Sequence, residues 1–357
     1  MKSLAEPFPL TGQTAPPLKF AIIIPVFNTE KYLRECLDSL ICQTYKNFVA
    51  FVVDDGSTDG SGLIADNYCA YDSRFFVLHK RNGGVSSARN FALNYITNNK
   101  NCFDYVLFLD SDDLLDPECL EEVCRNINGE RKIVMFGVER FDKDGRVQDS
   151  TKKDHLPKNL DQQESLSFVF DDSNEEYRSS PACSLFMSNL AVPVCLIKEL
   201  RFDPNMKICE DQQFKMLVLA RCQGTRIISK PLLKYRLRKG SLSHPEVINL
   251  LTFRYFMKLI DSAATTSEIV LKATERRAAN AWWNNLRMAA CTGVLKKEWR
   301  EFADSLEMMR KNFHTDVLES NKFKKRVKIF LLGRIFVSFY FRLQARQPEN
   351  TTLTYFD

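Results

Sequence analysis

The chain has 357 residues, of which 45% are hydrophobic and 27% charged, with a formal net charge of +5. This is the composition of a globular protein that buries a core, which excludes a disordered or low-complexity chain. The charge is too small for the whole chain to bind nucleic acid, and much of it lies near the C-terminus. The first 18 residues, with Pro7, Pro9, Pro16 and Pro17, lack the apolar core of a signal peptide and read as an irregular leader. Phe20 to Val26 is an apolar run suited to a buried strand, which Pro25 should end or kink. Tyr32, Leu33, Cys36, Leu37, Leu40 and Ile41 then fall at helical spacing, with Asn28 or Thr29 as cap. Phe48 to Val53 reads as a second strand, closed by Asp54-Asp55-Gly56-Ser57-Thr58-Asp59. A further helix leads to a strand at Phe75–Leu78, and Asn82-Gly83-Gly84 opens a helix reaching about Asn98.

Tyr105 to Leu109 is again a buried strand, ending in Asp110-Ser111-Asp112-Asp113. Strands alternating with helices predict a parallel sheet, and the polar motifs fall at strand ends, where open α/β sheets bind ligands. Asp110 and Asp112 are two apart and suit one hard cation, Mg²⁺ or Mn²⁺, with substrate phosphates completing its shell. The alternative is an acidic loop that caps the next helix. Asp116-Pro117 already supplies that cap and first turn, which leaves Asp110 and Asp112 without a structural role.

Lys132 to Asp142 reads as a strand with a hairpin turn at Asp142-Lys143-Asp144-Gly145. Asp149 to Ser180 is polar and irregular apart from Leu166–Phe170, a candidate substrate-covering loop. Glu210-Asp211 opens a helix with Phe214, Leu217, Val218 and Cys222 on one face. Ile227-Ile228 and Leu232–Leu237 read as short strands, and Arg236 to Ser241 as a basic, flexible exit. Beyond Ser243 the pattern is helical, which sets a boundary near His244: residues 1–18, 19–244 and 245–357. The eleven cysteines contain no C-x-x-C pair and read as reduced, buried thiols of a cytosolic protein.

Five motifs in order resemble the inverting family-2 glycosyltransferases: Ile24-Pro25-Val26-Phe27-Asn28, Val53 to Asp59, Asn82 to Asn90, Asp110 to Asp113, and Glu210-Asp211. The resemblance covers roughly residues 19 to 244. It implies the glycosyltransferase-A fold, a Rossmann-like, mixed and mainly parallel α/β sheet flanked by helices, here followed by a helical C-terminal region. It implies donor-binding roles for Pro25, Phe27, Asn28, Asp55, Asn82, Gly84, Arg89, Asp110 and Ser111. It also implies a metal at Asp112, with Asp110 and His244 as further ligands, and Asp211 as the catalytic base.

Each residue carries a second reading. Phe27 stacks on a base or packs in the core. Asp55 accepts from the imide N–H of uracil or is a turn residue before Gly56. Arg89 meets pyrophosphate or forms an ion pair with a strand-end acid. Glu210-Asp211 acts on the acceptor or complements a helix dipole, and His244 is a ligand or a solvated loop residue.

The implied function is inverting sugar transfer from a UDP-sugar to a growing glycan or lipid-linked acceptor. A nucleotidyltransferase is disfavoured because Ile23 to Tyr32 lacks a glycine-rich phosphate loop, and a non-catalytic sugar-nucleotide binder is the other rival. Lys322, Lys324, Lys325, Arg326 and Lys328 precede an apolar stretch too short to span a bilayer. Residues 322–343 therefore read either as a helix on the cytoplasmic, anionic face of a membrane or as a core or dimer helix.

Overall fold

The computed structural model describes residues 17–98, 103–127, 132–151, 156–170, 187–238, 251–292, 295–331 and 337. The apolar runs become a parallel sheet half: β1 (Phe20–Val26), α1 (Glu30–Ile41), β2 (Phe48–Asp54), α2 (Ser61–Tyr71), β3 (Phe75–His79), α3 (Val85–Asn98) and β4 (Tyr105–Phe108). β1 lies between β2 and β4, parallel to both, and β3 pairs with β2. Strand residues alternate between two cores, as the period of two requires. Ala21 and Ile23 meet Ala88, Ala92 and Leu93 of α3. Ile22 and Ile24 meet Leu33, Leu37 and Leu40 of α1.

Pro25 does not end β1. It stays in register opposite Val53, and all seven residues of the strand are buried. Pairing with β4 stops at Ile23–Phe108, and the Ile23 carbonyl accepts from Leu109 N. Pro25, two residues on, turns its nitrogen to that same side, beyond the ladder, so the missing donor breaks nothing.

The second half continues with β5 (Leu114–Leu115), α4 (Cys119–Asn126), β6 (Ile133–Phe141), β7 (Val147–Ser150), β8 (Asn159–Leu160), α5 (Gln162–Phe170), β9 (Leu190–Pro193), α6 (Val194–Ile197), α7 (Glu210–Leu219) and β10 (Thr225–Arg236). The strand order is β3-β2-β1-β4-β9-β6-β10-β5, with β7 on β6 and β8 on β10. β9 enters antiparallel between β4 and β6, and the longer ladders are parallel.

Several expectations change. The two short strands at 227–228 and 232–237 are one strand, β10, whose register shifts on either side of Pro231. A bulge there absorbs the proline. Leu166, Phe168, Val169 and Phe170 are buried on α5, so this part of the expected covering loop is core; residues 171–186 lie outside the described residues. Asp116 does not cap α4 directly. Its carboxylate accepts from Glu118 N at 3.0 Å, and the helix starts at Cys119. Cys222 lies past the end of α7, while Phe214 and Val218 are buried on it. Of the described cysteines all are free, but Cys42, Cys69 and Cys195 are exposed.

The C-terminal helices are α8 (Leu251–Ala264), α9 (Glu268–Thr292), α10 (Leu295–Asn312), α11 (Thr315–Glu319) and α12 (Asn321–Leu331). Leu259, Ala263 and Val270 join the core on the α3 side of the sheet. Trp282, Phe302, Phe313 and Phe330 form a third core. Trp282 Nε1 donates to the Phe302 carbonyl at 3.1 Å, and Trp299 stacks on Phe330 at 4.3 Å. Among the described residues no helix is long and apolar enough to cross a membrane. Phe323 and Phe330 of the stretch proposed for the membrane are buried in this core, so the face of the helix that carries them is a packing face. Phe330→Ala should therefore cost about 3–5 kcal/mol of stability, the usual range for a buried phenylalanine. Chemical denaturation measures it, and an unchanged midpoint would place Phe330 outside the core.

Candidate functional site

The C-terminal ends of β1, β2 and β4 and the starts of α3 and α7 meet on one side of the sheet. The first two motifs are bound to each other. Asn28 takes a left-handed φ of 53°, which asparagine tolerates. Its N–H donates to Ser57 Oγ at 3.1 Å, and its Oδ1 accepts from Thr58 N at 2.8 Å. Thr29 stands at the start of α1 but makes no side-chain cap; its N–H donates to Ser61 Oγ at 2.9 Å. Turning the chain at Asn28 leaves Phe27 46% exposed, so the core-packing alternative does not hold. Pro25 is buried inside β1 and Ser111 is buried beside the acids.

Asp55 is more than a turn residue. Its carboxylate is buried, accepts from Gly83 N and Gly84 N at 3.0 and 2.7 Å, and forms an ion pair with Lys80. It thus shapes the loop that precedes α3. Gly84 has φ +86°, a conformation side chains rarely adopt. A Cβ on Gly56 (φ +74°) would meet the backbone N of Asn82 at 2.9 Å, so that glycine lets the 54–59 and 82–84 loops touch.

The acids converge on Arg89. This side chain is 2% exposed and sits on α3. Its Nη2 donates to Asp110 Oδ1 at 2.9 Å; its Nη1 donates to Asp211 Oδ1 at 2.5 Å and Glu210 Oε1 at 3.2 Å. Its guanidinium lies 5.1 Å from the ring centre of Phe202, which stacks at 3.9 Å on Phe214 of α7. Cys209, before α7, has φ 63°, an unusual non-glycine conformation at the turn that delivers Glu210 and Asp211. Both readings of Arg89 and of Glu210-Asp211 therefore begin from an ion pair that ties α7 to the end of β4.

One cation among three carboxylates leaves excess negative charge in a desolvated place. Burial and then the Asp211 charge push Glu210 up to about 7, against the pull of Arg89. Burial raises Asp211 as well, with Arg89 opposing and Asp110 adding to the rise.

A second arginine pair holds the other acids. Burial and the neighbouring Asp110 raise Asp112, while Arg238 Nε, in ion pair with Asp112 Oδ2, opposes them. Arg236 N donates to Asp113 Oδ1 at 2.8 Å, its Nε to the Asp112 carbonyl at 2.9 Å, and its Nη2 to Glu35 at 2.7 Å. Asp110 and Asp112 thus do have structural partners, contrary to the sequence expectation. Arg236 is pinned by three acceptors and Arg238 pairs with Asp112, so the start of the expected basic, flexible exit meets acids across the end of β4. Residues 239–250, with His244, lie outside the described residues.

Among the described residues no group of three or more His, Cys, Asp or Glu side chains could hold a metal ion. Two neighbouring hard carboxylates, with Asp112 raised by burial and then by Asp110, nonetheless fit a divalent cation that takes its other ligands from substrate phosphates. Sequence reasoning missed Lys80, Glu35 and the arginine partnership at Asp112. Lys80 follows the C-terminal end of β3, the strand-end rule applied one strand further; Glu35 carries no such signal.

A family model described as glycosyl transferase family 2 matches residues 21–188. Glycosyltransferase GlyA of Streptococcus pneumoniae is 33% identical over 227 residues, 63% of this chain and 31% of that protein. Minor teichoic acid biosynthesis protein GgaB of Bacillus subtilis is 31% identical over 230 residues, 63% of this chain and 23% of that protein. The chain thus spans less than a third of either. Among solved structures, S. aureus TarS 1-349 in complex with UDP-GlcNAc has a TM-score of 0.64 at 22% identity, covering 84% of this chain and 83% of that one. The likeness is one of fold, a glycosyltransferase-A-like mixed sheet with flanking helices and a helical C-terminal region.

The Glu210 environment sets a pH dependence of stability. Its folded pKa of about 7 stands above the ordinary 4.5, so between those values the folded chain holds a proton the unfolded chain has lost. This contribution is full below about 4.5 and is lost as pH rises through about 7. Thermal midpoints should fall over that window, and Glu210→Gln should flatten the fall. A wild-type slope that Glu210→Gln leaves intact would place the titration elsewhere.

Proposed function

We propose that this chain, whose residues 21–188 match the glycosyl transferase family 2 model, is a metal-dependent, inverting glycosyltransferase. It moves a sugar from a UDP-sugar donor to a growing glycan, in polysaccharide or lipid-linked oligosaccharide biosynthesis of the cell envelope. The observation that carries the reading is Arg89, whose two terminal nitrogens hold Asp110 and Asp211. One guanidinium thereby sets the donor-side acids and the acceptor-side acid at a fixed separation. The UDP-GlcNAc bound to TarS and the teichoic acid pathway of GgaB support a nucleotide-sugar donor and a cell-wall acceptor.

On this reading the exposed Phe27 stacks on the base, and Asp55 supports the wall of the uridine pocket through the Gly83-Gly84 loop. Asn28 and Asn82 hold the two loops that flank it. Asp112 and Asp110 would hold Mn²⁺ or Mg²⁺, which would supply positive charge to the leaving diphosphate. Asp211 takes the proton from the acceptor hydroxyl as it attacks from the face opposite the diphosphate. Burial raises Asp211, with Arg89 opposing, which makes it a better base than an exposed aspartate, and its neighbour Glu210 is pushed up to about 7. Arg89 holds the carboxylate in position. A single displacement inverts the anomeric centre through an oxocarbenium-like transition state.

The exposed Lys324, Lys325 and Lys328 of α12 offer a positive face to the anionic cytoplasmic side of a membrane, while the opposite face of the helix is buried. Attachment is then electrostatic and peripheral, and it weakens as salt rises.

Two substitutions separate binding from chemistry. Asp211→Asn should lower turnover by about 10²–10⁴-fold with donor affinity nearly unchanged. Asp112→Asn should weaken metal-dependent donor binding and abolish transfer. Donor dissociation constants and turnover with a common acceptor decide it; an Asp211→Asn variant that loses donor affinity as steeply as turnover would make Asp211 a structural or nucleotide residue.

A further inference from the structure

The two acids at the end of β4 each have an arginine, but the arginines differ in how firmly they are held. Arg89 is 2% exposed, is shared by three carboxylates and rests on Phe202. It cannot leave Asp110 without abandoning the whole cluster. Arg238 is 28% exposed and lies two residues past the end of β10. Its near neighbour Arg236 is anchored by donating to the Asp113 carboxylate, the Asp112 carbonyl and Glu35. β5 and β10 pair at Leu114–Lys234 and Leu115–Leu233, and Asp116 N donates to the Leu232 carbonyl at 2.9 Å. The tether is therefore fixed at its root, and Tyr32, whose ring centre lies 5.4 Å from the Arg238 guanidinium, borders the tip.

We propose that Arg238 is an exchangeable counter-ion: it occupies the Asp112 carboxylate in the free protein and yields it when a divalent cation arrives with an anionic donor. The inference rests on the reading of Asp112 as a cation ligand. Its physical basis is that Arg238 Nε sits on Asp112 Oδ2, and one carboxylate oxygen does not keep a guanidinium and a hard cation together. Without donor the guanidinium competes with the metal. With a diphosphate present the freed guanidinium gains a new anionic partner within reach of its anchored root, so metal and donor binding reinforce each other. The free protein then binds metal weakly, and the site is assembled when donor is present.

The test uses the full chain and Mn²⁺ alone, with free Mn²⁺ read by electron paramagnetic resonance. Arg238→Gln should bind Mn²⁺ about tenfold more tightly than wild type in the absence of donor. UDP should tighten Mn²⁺ binding more in wild type than in the variant. Arg238→Lys keeps a charge but loses the planar fork, so it should give a smaller gain and reads the same competition if the glutamine variant is unstable. If Asp112→Asn abolishes Mn²⁺ binding but neither Arg238 variant tightens it, the exchange is overturned and the metal reading stands. If Asp112→Asn binds Mn²⁺ as wild type does, the metal reading fails and the exchange fails with it.

Discussion

The organising constraint is a charge imbalance around one buried guanidinium. Arg89 faces Asp110, Glu210 and Asp211 in a place from which water is largely excluded. Burying an arginine is costly unless its charge is answered, and three acids answer it more than fully. Burial first, and then the surplus of negative charge, raises Glu210 to near neutrality and Asp211 in the same direction. A group poised there can hold or release a proton under ordinary conditions, which is the property general acid–base chemistry uses. The same contact is architectural, because Asp110 ends β4, Arg89 opens α3 and the other two acids open α7.

The rest of the molecule holds those ends in place. The parallel half of the sheet brings β1, β2 and β4 to a common edge, and loops joined by Asn28, Ser57 and Asp55 line it. The inserted β9 and the long β10 carry the chain back, so that Arg236 and Arg238 reach the acids at the end of β4. Two arginine-to-acid systems thus flank the proposed donor site. One is buried and shared; the other is partly exposed and pairwise. The C-terminal helices add to the sheet's own core through Leu259, Ala263 and Val270, and close a separate core around Trp282.

Much of this was legible in the chain itself. Continuous apolar runs such as Phe20–Val26 and Tyr105–Leu109 specify buried parallel strands, since only a strand covered on both faces needs that pattern. Two of the acidic motifs sit where such strands end, which places Asp55, Asp110 and Asp112 at one edge before any coordinates are known, while Glu210-Asp211 opens a helix. Local spacing also separates α1 and α7 from their neighbours through the 3.6 period. Other elements depend on contacts that spacing does not encode. Pro25 remains in its strand because β4 has already parted from it, and Pro231 sits inside β10 because a bulge takes up its missing donor. Leu166–Phe170 is a helix because the sheet face offers it a core.

By itself, then, the sequence determined the layer order of the first half, the strand ends that carry the acids, and the family that the motifs resemble. Tertiary structure alone decided who partners whom. Arg89 with Asp211 spans 122 residues, Arg236 with Glu35 spans 201, and Arg238 with Asp112 spans 126. Such pairs arise when separate strand and helix ends are packed together, and the energy that selects them is electrostatic and long in sequence, with no local period to betray it. The same reason settled Phe330: an amphipathic, basic helix fits a membrane surface or a protein core equally well until Trp282 and Trp299 are seen to cover it.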